Sequence, residues 1–369
     1  MHYTREDGCR VWLTYGMINP APLAEMLEAC GSAEAIYNRF MHEGGHFMRK
    51  WNVSDVSIKA LAEHSTASVL HEALLTMRRL ECGIISLNDP QYPDMLRQIS
   101  QPPVFLFYRG NLECLLGKCV AVVGSRTVSP QGEAVTKDIC CDLSRSGVTI
   151  ISGLAMGVDS AAHEGCLAGG SPTAAILACG MDVDYPLENI ELKERIVRTG
   201  GVLLSEYPLG MHGNKFVFQM RNRIISGLAK AVLMMESRLR SGSMITVQHA
   251  LDQGRDVFAY PGVPNSENAE GAHQLLREGA LYFTSAKDVL EDLGWADDAP
   301  AITQQQKKVI PDMNPEQHRI YVLLGRGEMS FDELAAESGI PPAQLSVTLT
   351  LMQISGIIRA MHGKTYCRN

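Results

Sequence analysis

What this 369-residue chain lacks narrows it first. It has no surplus of basic residues: the formal net charge is −8, whereas a protein that coats duplex DNA needs an excess of Lys and Arg. Any nucleic-acid contact is therefore expected at a local basic site on an acidic body. Paired cysteine motifs are also missing. Ten cysteines are scattered without a C-x-x-C pair or a His pair at zinc-finger spacing, and the adjacent Cys140-Cys141 fall on different faces of a predicted helix. Reduced, mostly buried thiols are expected, and neither disulfides nor metal. There is no apolar run of membrane-spanning length and no apolar signal region after Met1-His2-Tyr3-Thr4-Arg5-Glu6-Asp7, so the expectation is a soluble cytoplasmic protein with no membrane partner. Three reaction signatures are missing too: the G-x-S-x-G elbow, the phosphate loop ending in Lys-Ser/Thr, and G-x-G-x-x-G after the first strand of the alternating region. No catalytic residue and no cofactor are expected, and the central sheet reads as built to bind rather than to cut.

What is present is a long alternation of apolar strands and helices. Strands are predicted at Cys119–Val123, Val148–Ile151, Thr173–Ala178, Val202–Leu204, Ala231–Met235, Asp256–Tyr260 and Leu281–Phe283. Helices are predicted at Gln131–Ser146, Ser160–Leu167, Glu191–Thr199, Met220–Leu228, Met244–Gln253 and Ala272–Glu278, with Gly147, Gly200, Gly254 and Gly279 where a helix should stop. Near-continuous apolar strands separated by helices imply an α/β, doubly wound, mostly parallel sheet covered on both faces. Residues 1–80 read as a small helical domain, 81–295 as the sheet domain, 296–311 as a linker and 312–369 as a winged helix. In that last module Ser330 and Glu333 form a capping box, and Leu345, Leu349 and Met352 share one face of its third helix.

Ligands of such sheets bind beyond the carboxyl ends of the strands, and the polar insertions fall there. Gly124-Ser125-Arg126 follows the first strand of the alternation and precedes a helix start, so it offers backbone donors, a hydroxyl and a guanidinium to a phosphate. Ser241-Gly242-Ser243 repeats the arrangement, with Arg238 and Arg240 just upstream. Lys215-Phe216-Val217-Phe218 interleaves basic and aromatic residues, a pattern suited to single-stranded nucleic acid. Lys215 is read as a solvent-facing loop residue. Arg221 and Arg223, two apart, diverge on a helix, and one of them is a candidate for an internal ion pair with Glu206 or Asp159. Gly153 through Gly157, Asp159 and His163 read as a hydrogen-bonded scaffold beside Arg126, with Asp159 capping its helix.

Taken together, these motifs resemble the DprA/Smf family of DNA-processing proteins. They are Gly124-Ser125-Arg126 with Ser129, Ser152–Asp159 with His163, Gly180–Pro186, Leu204-Ser205-Glu206, Arg221-Asn222-Arg223, Ser241-Gly242-Ser243 and Gly254–Gly262, in order through the whole central domain. The resemblance implies an extended Rossmann-like domain that binds single-stranded DNA without sequence preference, protects incoming strands in natural transformation and helps load a RecA-type recombinase. It also implies a homodimer through that domain and an N-terminal domain of sterile-alpha-motif type. By motif position, Arg126 and Lys215 would grip phosphates and Phe218 would meet a base. Gly124, Ser125, Ser129, Arg221, Asn222, Arg223, Ser241, Gly242 and Ser243 would complete the pocket. Gln219, where a Pro usually stands, and His273, where an Asn does, depart from the pattern. The rival reading is a related enzyme that hydrolyses nucleoside monophosphates to free base. Its P-G-G-x-G-T-x-x-E loop has a catalytic Glu, whereas Ser241–His249 has none.

The winged helix calls for a separate expectation. Its third helix carries no Lys or Arg, and from Asp312 onward five basic residues face six acidic ones. A duplex reader needs cations near that helix, so this module is expected to contact protein, or its own chain, more than DNA.

Overall fold

A computed structural model of the chain describes residues 3–264, 266–296, 315–324, 329–354, 358–361 and 365–368. Five helices come first: α1 (Arg5–Tyr15), α2 (Pro20–Cys30), α3 (Ala33–Glu43), α4 (Asp55–Glu63) and α5 (Ala67–Leu80). They bury Trp12, Met26, Ile36 and Met48 in a core that continues through Phe105, Phe107 and Leu203. These helices and the sheet beneath them therefore belong to one unit.

The sheet has nine strands: β1 (Cys82–Ser86), β2 (Phe105–Gly110), β3 (Cys119–Val123), β4 (Thr149–Ser152), β5 (Thr173–Ile176), β6 (Val202–Ser205), β7 (Ala231–Met234), β8 (Asp256–Ala259) and β9 (Leu281–Tyr282). Their spatial order is β1-β2-β6-β5-β4-β3-β7-β8-β9, with β2 antiparallel to both its neighbours and the other pairs parallel. Alternate residues of β3 feed opposite faces, Ala121 and Val123 one core and Val120 and Val122 the other. Both faces are thus covered, as near-continuous apolar strands require. The helices of the sheet region are α6 (Asp94–Arg97), α7 (Pro130–Arg145), α8 (Val158–Gly169), α9 (Ile190–Arg198), α10 (Lys215–Gly227), α11 (Gly242–Asp252), α12 (Glu270–Arg277) and α13 (Ala286–Asp292). From β3 the chain winds outward to β6, then crosses back to place β7 on the other side of β3. That reversal opens a crevice beyond the carboxyl ends of β3 and β7.

Three local expectations need correction. Lys215 does not lie in a loop. It opens α10, because the Asn214 side chain accepts the Val217 N–H (3.1 Å) and caps a helix that starts five residues before the predicted Met220. Asp159 does not cap α8. Gly157 holds the cap position, and Asp159, inside the first turn, accepts the N–H groups of Gly153 and Ala155. Nor does the last predicted strand reach Phe283, since pairing with β8 ends at Tyr282.

The C-terminal unit contains α14 (Pro315–Leu323), β10 (Met329–Ser330), α15 (Phe331–Ser338), α16 (Pro342–Ile354), β11 (Ile358–Met361) and β12 (Thr365–Arg368). β12 pairs with both β10 and β11, which makes the wing. The Ser330/Glu333 capping box is formed, and Leu345, Leu349 and Met352 are buried together. The predicted linker beyond Ala296, Gly356 and the His362-Gly363 turn lie outside the described residues.

The ten cysteines are free. Burial pushes the Cys119 thiol up to about 12, a range in which thiolate chemistry is suppressed. Among the described residues no helix is long and apolar enough to cross a membrane, and no cluster of three or more His, Cys, Asp or Glu could hold a metal ion.

Candidate nucleic-acid interface

The crevice at the strand reversal is an open cleft of about 780 Å³. Four chain segments make it: the turn after β3, the segment from β4 into α8 (Ala155 and Asp159), one face of α10, and the loop between β7 and α11 with the first turn of α11. The turn after β3 is held by backbone contacts. The Ser125 N–H donates to Glu236 O (2.6 Å), and Ser125 O accepts the Val158 N–H (3.1 Å). A Cβ on Gly124 would sit 2.7 Å from Glu236 O, and one on Gly157, whose φ is +80°, would sit 2.3 Å from Ser125 O. Only glycine permits both approaches, and with them Arg126 is left exposed at the cleft rim.

Across the cleft, Lys215 is exposed at the start of α10, one turn before Phe218. The Arg126 guanidinium lies 4.8 Å over the Phe218 ring, a cation–π contact that stays accessible to solvent. On the third side, Ser241 caps α11 by position, and its hydroxyl meets those of Ser237 (2.5 Å) and Ser243 (2.6 Å). The first N–H groups of α11 and its dipole face the same space, which favours an anion there. Asn222 ties α10 to this corner by donating to Gly242 O (3.2 Å). Arg238 and Arg240 add two exposed cations, Arg238 in contact with Glu267 (3.0 Å). The cleft thus gathers positive charge on a net-negative chain.

At the floor lies a buried pair, Arg221 and Asp159. Arg221, 4% exposed, donates to the carbonyls of Gly153 (2.9 Å) and Ile176. Burial pushes the Asp159 carboxyl up, and the charge of Arg221 opposes that shift. Arg221 is therefore a strut of the floor, its Nε engaged by Asn222 and its Nη1 by the two carbonyls. Arg223 is not at the cleft at all. It points to the other side of α10, donates to both Glu206 oxygens (2.6 and 2.8 Å) and is buried. The ion-pair expectation thus finds Arg223 with Glu206, while the pocket role assigned to Arg223 by motif position is corrected. Ser129 is corrected as well. It caps α7 and hydrogen-bonds Glu236, away from the lining.

Glu236 is the residue that sequence reasoning missed. Its carboxylate accepts from the Ser129 N–H (2.8 Å), the Ser129 hydroxyl and the Asn268 amide (3.3 Å), while its carbonyl fixes Ser125. One signal was available, a carboxylate directly after the apolar run Ala231–Met235. Glu236→Ala is expected to lower unfolding free energy by about 1–3 kcal/mol, because half-buried donors lose their acceptor. Equilibrium urea unfolding checks this; a variant as stable as wild type would show that the carboxylate clamps nothing.

His163 is fully buried on α8. Thr173 donates its one hydroxyl proton to Ile150 O (2.6 Å), so it accepts from His163 Nδ1 (2.7 Å), and Nε2 has no partner. Burial, helped by the charge of Arg221, pushes the imidazole down to about 3 from 6.5. Because the folded value is depressed, the neutral ring stabilises the fold above pH 6.5, and that stability is lost as pH falls toward 3. The loss approaches about 1.4 kcal/mol per pH unit. His163→Asn is expected to flatten the fall in unfolding free energy between neutral and mildly acidic pH; parallel pH profiles for variant and wild type would contradict this.

Comparison with known proteins places this geometry in context. The family described as DNA recombination-mediator protein A matches residues 83–294, and the DprA winged helix domain matches residues 304–364. Protein Smf of Escherichia coli is 34% identical over 333 residues, covering 82% of this chain and 88% of its own. The DNA processing protein DprA of Streptococcus pneumoniae is 44% identical over 207 residues, covering 56% of this chain and 73% of its own. The X-ray structure of DNA processing protein A from Streptococcus pneumoniae superposes with a TM-score of 0.66 at 33% identity, covering 79% of this chain and 99% of that one. A structure of DNA processing protein A from Helicobacter pylori, described for its single-stranded DNA binding mode, gives 0.53 at 28% identity, covering 58% and 97%.

Proposed function

Since the chain belongs to the DNA recombination-mediator protein A family, we propose that it binds single-stranded DNA without sequence preference in the cleft between β3 and β7. The observation that carries this reading is the pair of exposed cations, Arg126 and Lys215, flanking Phe218 beside the N-terminus of α11. Cations suit a backbone and a ring suits a base, and neither reads sequence. The cleft is also open to solvent and not enclosed.

The protein is proposed to act without catalysing a reaction, as a DNA-processing protein that holds incoming strands and delivers them to a RecA-type recombinase as a homodimer. Among the residues lining the cleft the one carboxylate is Asp159, which is occupied by backbone N–H groups and Arg221. No acid is left free for nucleotide–ribose cleavage. The test is an anisotropy titration of labelled single and double strands across salt. The single strand is expected to bind more tightly, with affinity falling as salt rises. Equal affinity for the two, or release of free base from a nucleoside monophosphate, would overturn the reading.

The winged helix is proposed to contact protein. The outer face of α16 carries Gln344, Ser346 and Thr350 with exposed Val347 and Leu351, and no cation. Deleting residues 312–369 is expected to leave single-strand affinity unchanged; loss of binding with the fold intact would refute this.

A further inference from the structure

Phe218 has a neighbour at the mouth of the cleft that the motif comparison does not assign. Tyr185, on the loop between β5 and α9, is 41% exposed, and its ring centroid is 5.5 Å from that of Phe218 at an interplanar angle of 56°. The loop beneath it is firmly tied. The buried Lys193 ammonium donates to Met181 O (3.3 Å), Val183 O (3.1 Å) and the Asp184 carboxylate (3.2 Å). The Gly210 N–H donates to Asp182 (2.8 Å), and the Gly180 N–H donates to Met211 O (2.8 Å). These bonds anchor the loop both to α9 and to the segment entering α10. An exposed aromatic ring is therefore presented on a rigid support, so little order remains to be lost when a flat partner lands on it.

The chemistry around the ring selects the partner. At 5.5 Å the two rings touch, so no base enters between them and each must be approached from its outer side. Arg126 and Tyr185 both contact Phe218, so the three planar groups are contiguous. The Tyr185 end carries exposed Asp184 and Glu188. Carboxylates repel phosphates but not neutral bases, so this end suits bases whose backbone stays near Arg126 and Lys215. We propose that Tyr185 is a second base-stacking platform of the strand site, taking the base next to the one that meets Phe218. This inference rests on the single-strand reading above and adds one nucleotide of footprint to it.

The experiment compares wild type, Tyr185→Ala and Tyr185→Phe for binding to oligothymidylate and to an abasic strand with the same number of phosphates. Tyr185→Ala is expected to weaken oligothymidylate binding by about tenfold, with the slope of affinity against salt unchanged because no phosphate contact is removed. Tyr185→Phe should restore wild-type affinity, and all three proteins should bind the abasic strand alike. Equal oligothymidylate affinity for wild type and Tyr185→Ala would overturn the inference and leave the function standing. So would a loss that persists on the abasic strand or that phenylalanine fails to rescue. A wild-type protein that binds neither strand would overturn the proposed function and this inference together.

Discussion

The Arg126→Ala, Lys215→Ala double variant is expected to bind single-stranded DNA about 100-fold more weakly than wild type at moderate salt. Both side chains are exposed and come from different segments, one from the turn after β3 and one from the start of α10. Neither contributes to a core, so the fold should survive and the loss should be one of binding. Each removed phosphate contact also releases fewer counterions, so the plot of log affinity against log salt should become shallower by about 1.4. The loss should be the same for all sequences, since neither cation reads a base edge. Titrations of several sequences at three or more salt concentrations measure both quantities. Wild-type affinity in the double variant would locate the strand elsewhere on the molecule.

The second large effect is on stability. Arg221→Met is expected to lower unfolding free energy by about 3–5 kcal/mol at neutral pH. The methionine fills much of the space, but it cannot donate to Gly153 O or Ile176 O, and Asp159 is left buried without its opposing charge. Such a loss is a large part of the stability of an ordinary domain. Its pH dependence has a definite sign. Burial already raises the Asp159 carboxyl, and removing Arg221 raises it further. A carboxyl raised in the folded state favours folding when protonated, and that advantage is lost as pH rises through its folded value. The deficit of Arg221→Met relative to wild type should therefore be smallest in mild acid and grow toward neutrality. Adding Asp159→Leu should recover much of it, because the stranded charge is gone. Urea unfolding at several pH values tests this; a deficit independent of pH, or no recovery in the double variant, would exclude the buried-charge account.

The binding and stability predictions separate residues that the sequence presents together. Arg221-Asn222-Arg223 is one run, yet Arg221 supports the floor, Asn222 ties α10 to Gly242, and Arg223 pairs with Glu206 on the far side. Their divergence was legible, because positions two apart on a helix point in different directions. Which one faced the cleft was not, because that depends on how α10 is rotated against the sheet. Val217, Ile224 and Ile225, buried at different points around the helix, fix that rotation. Ser129 was misassigned for a similar reason. A serine just before a helix reads equally as a cap or as a phosphate ligand, and the position of Glu236, in the loop after β7 more than 100 residues later, decides for the cap.

By itself the sequence determined the elements and most of their ends, because these follow from local causes: apolar runs, glycine stops, capping side chains. It also determined which groups the Gly124-Ser125-Arg126 turn offers, since a strand, a glycine, a hydroxyl and a guanidinium before a helix place backbone donors and a cation together wherever they fall. Only the tertiary structure decided what that turn faces. Strands apolar on both sides show that they are buried but not beside which neighbour, and the chain order from β3 to β7 says nothing of their adjacency. Packing of both faces put β7 next to β3, and that pairing brought Arg126, Lys215 and the start of α11 to one cleft.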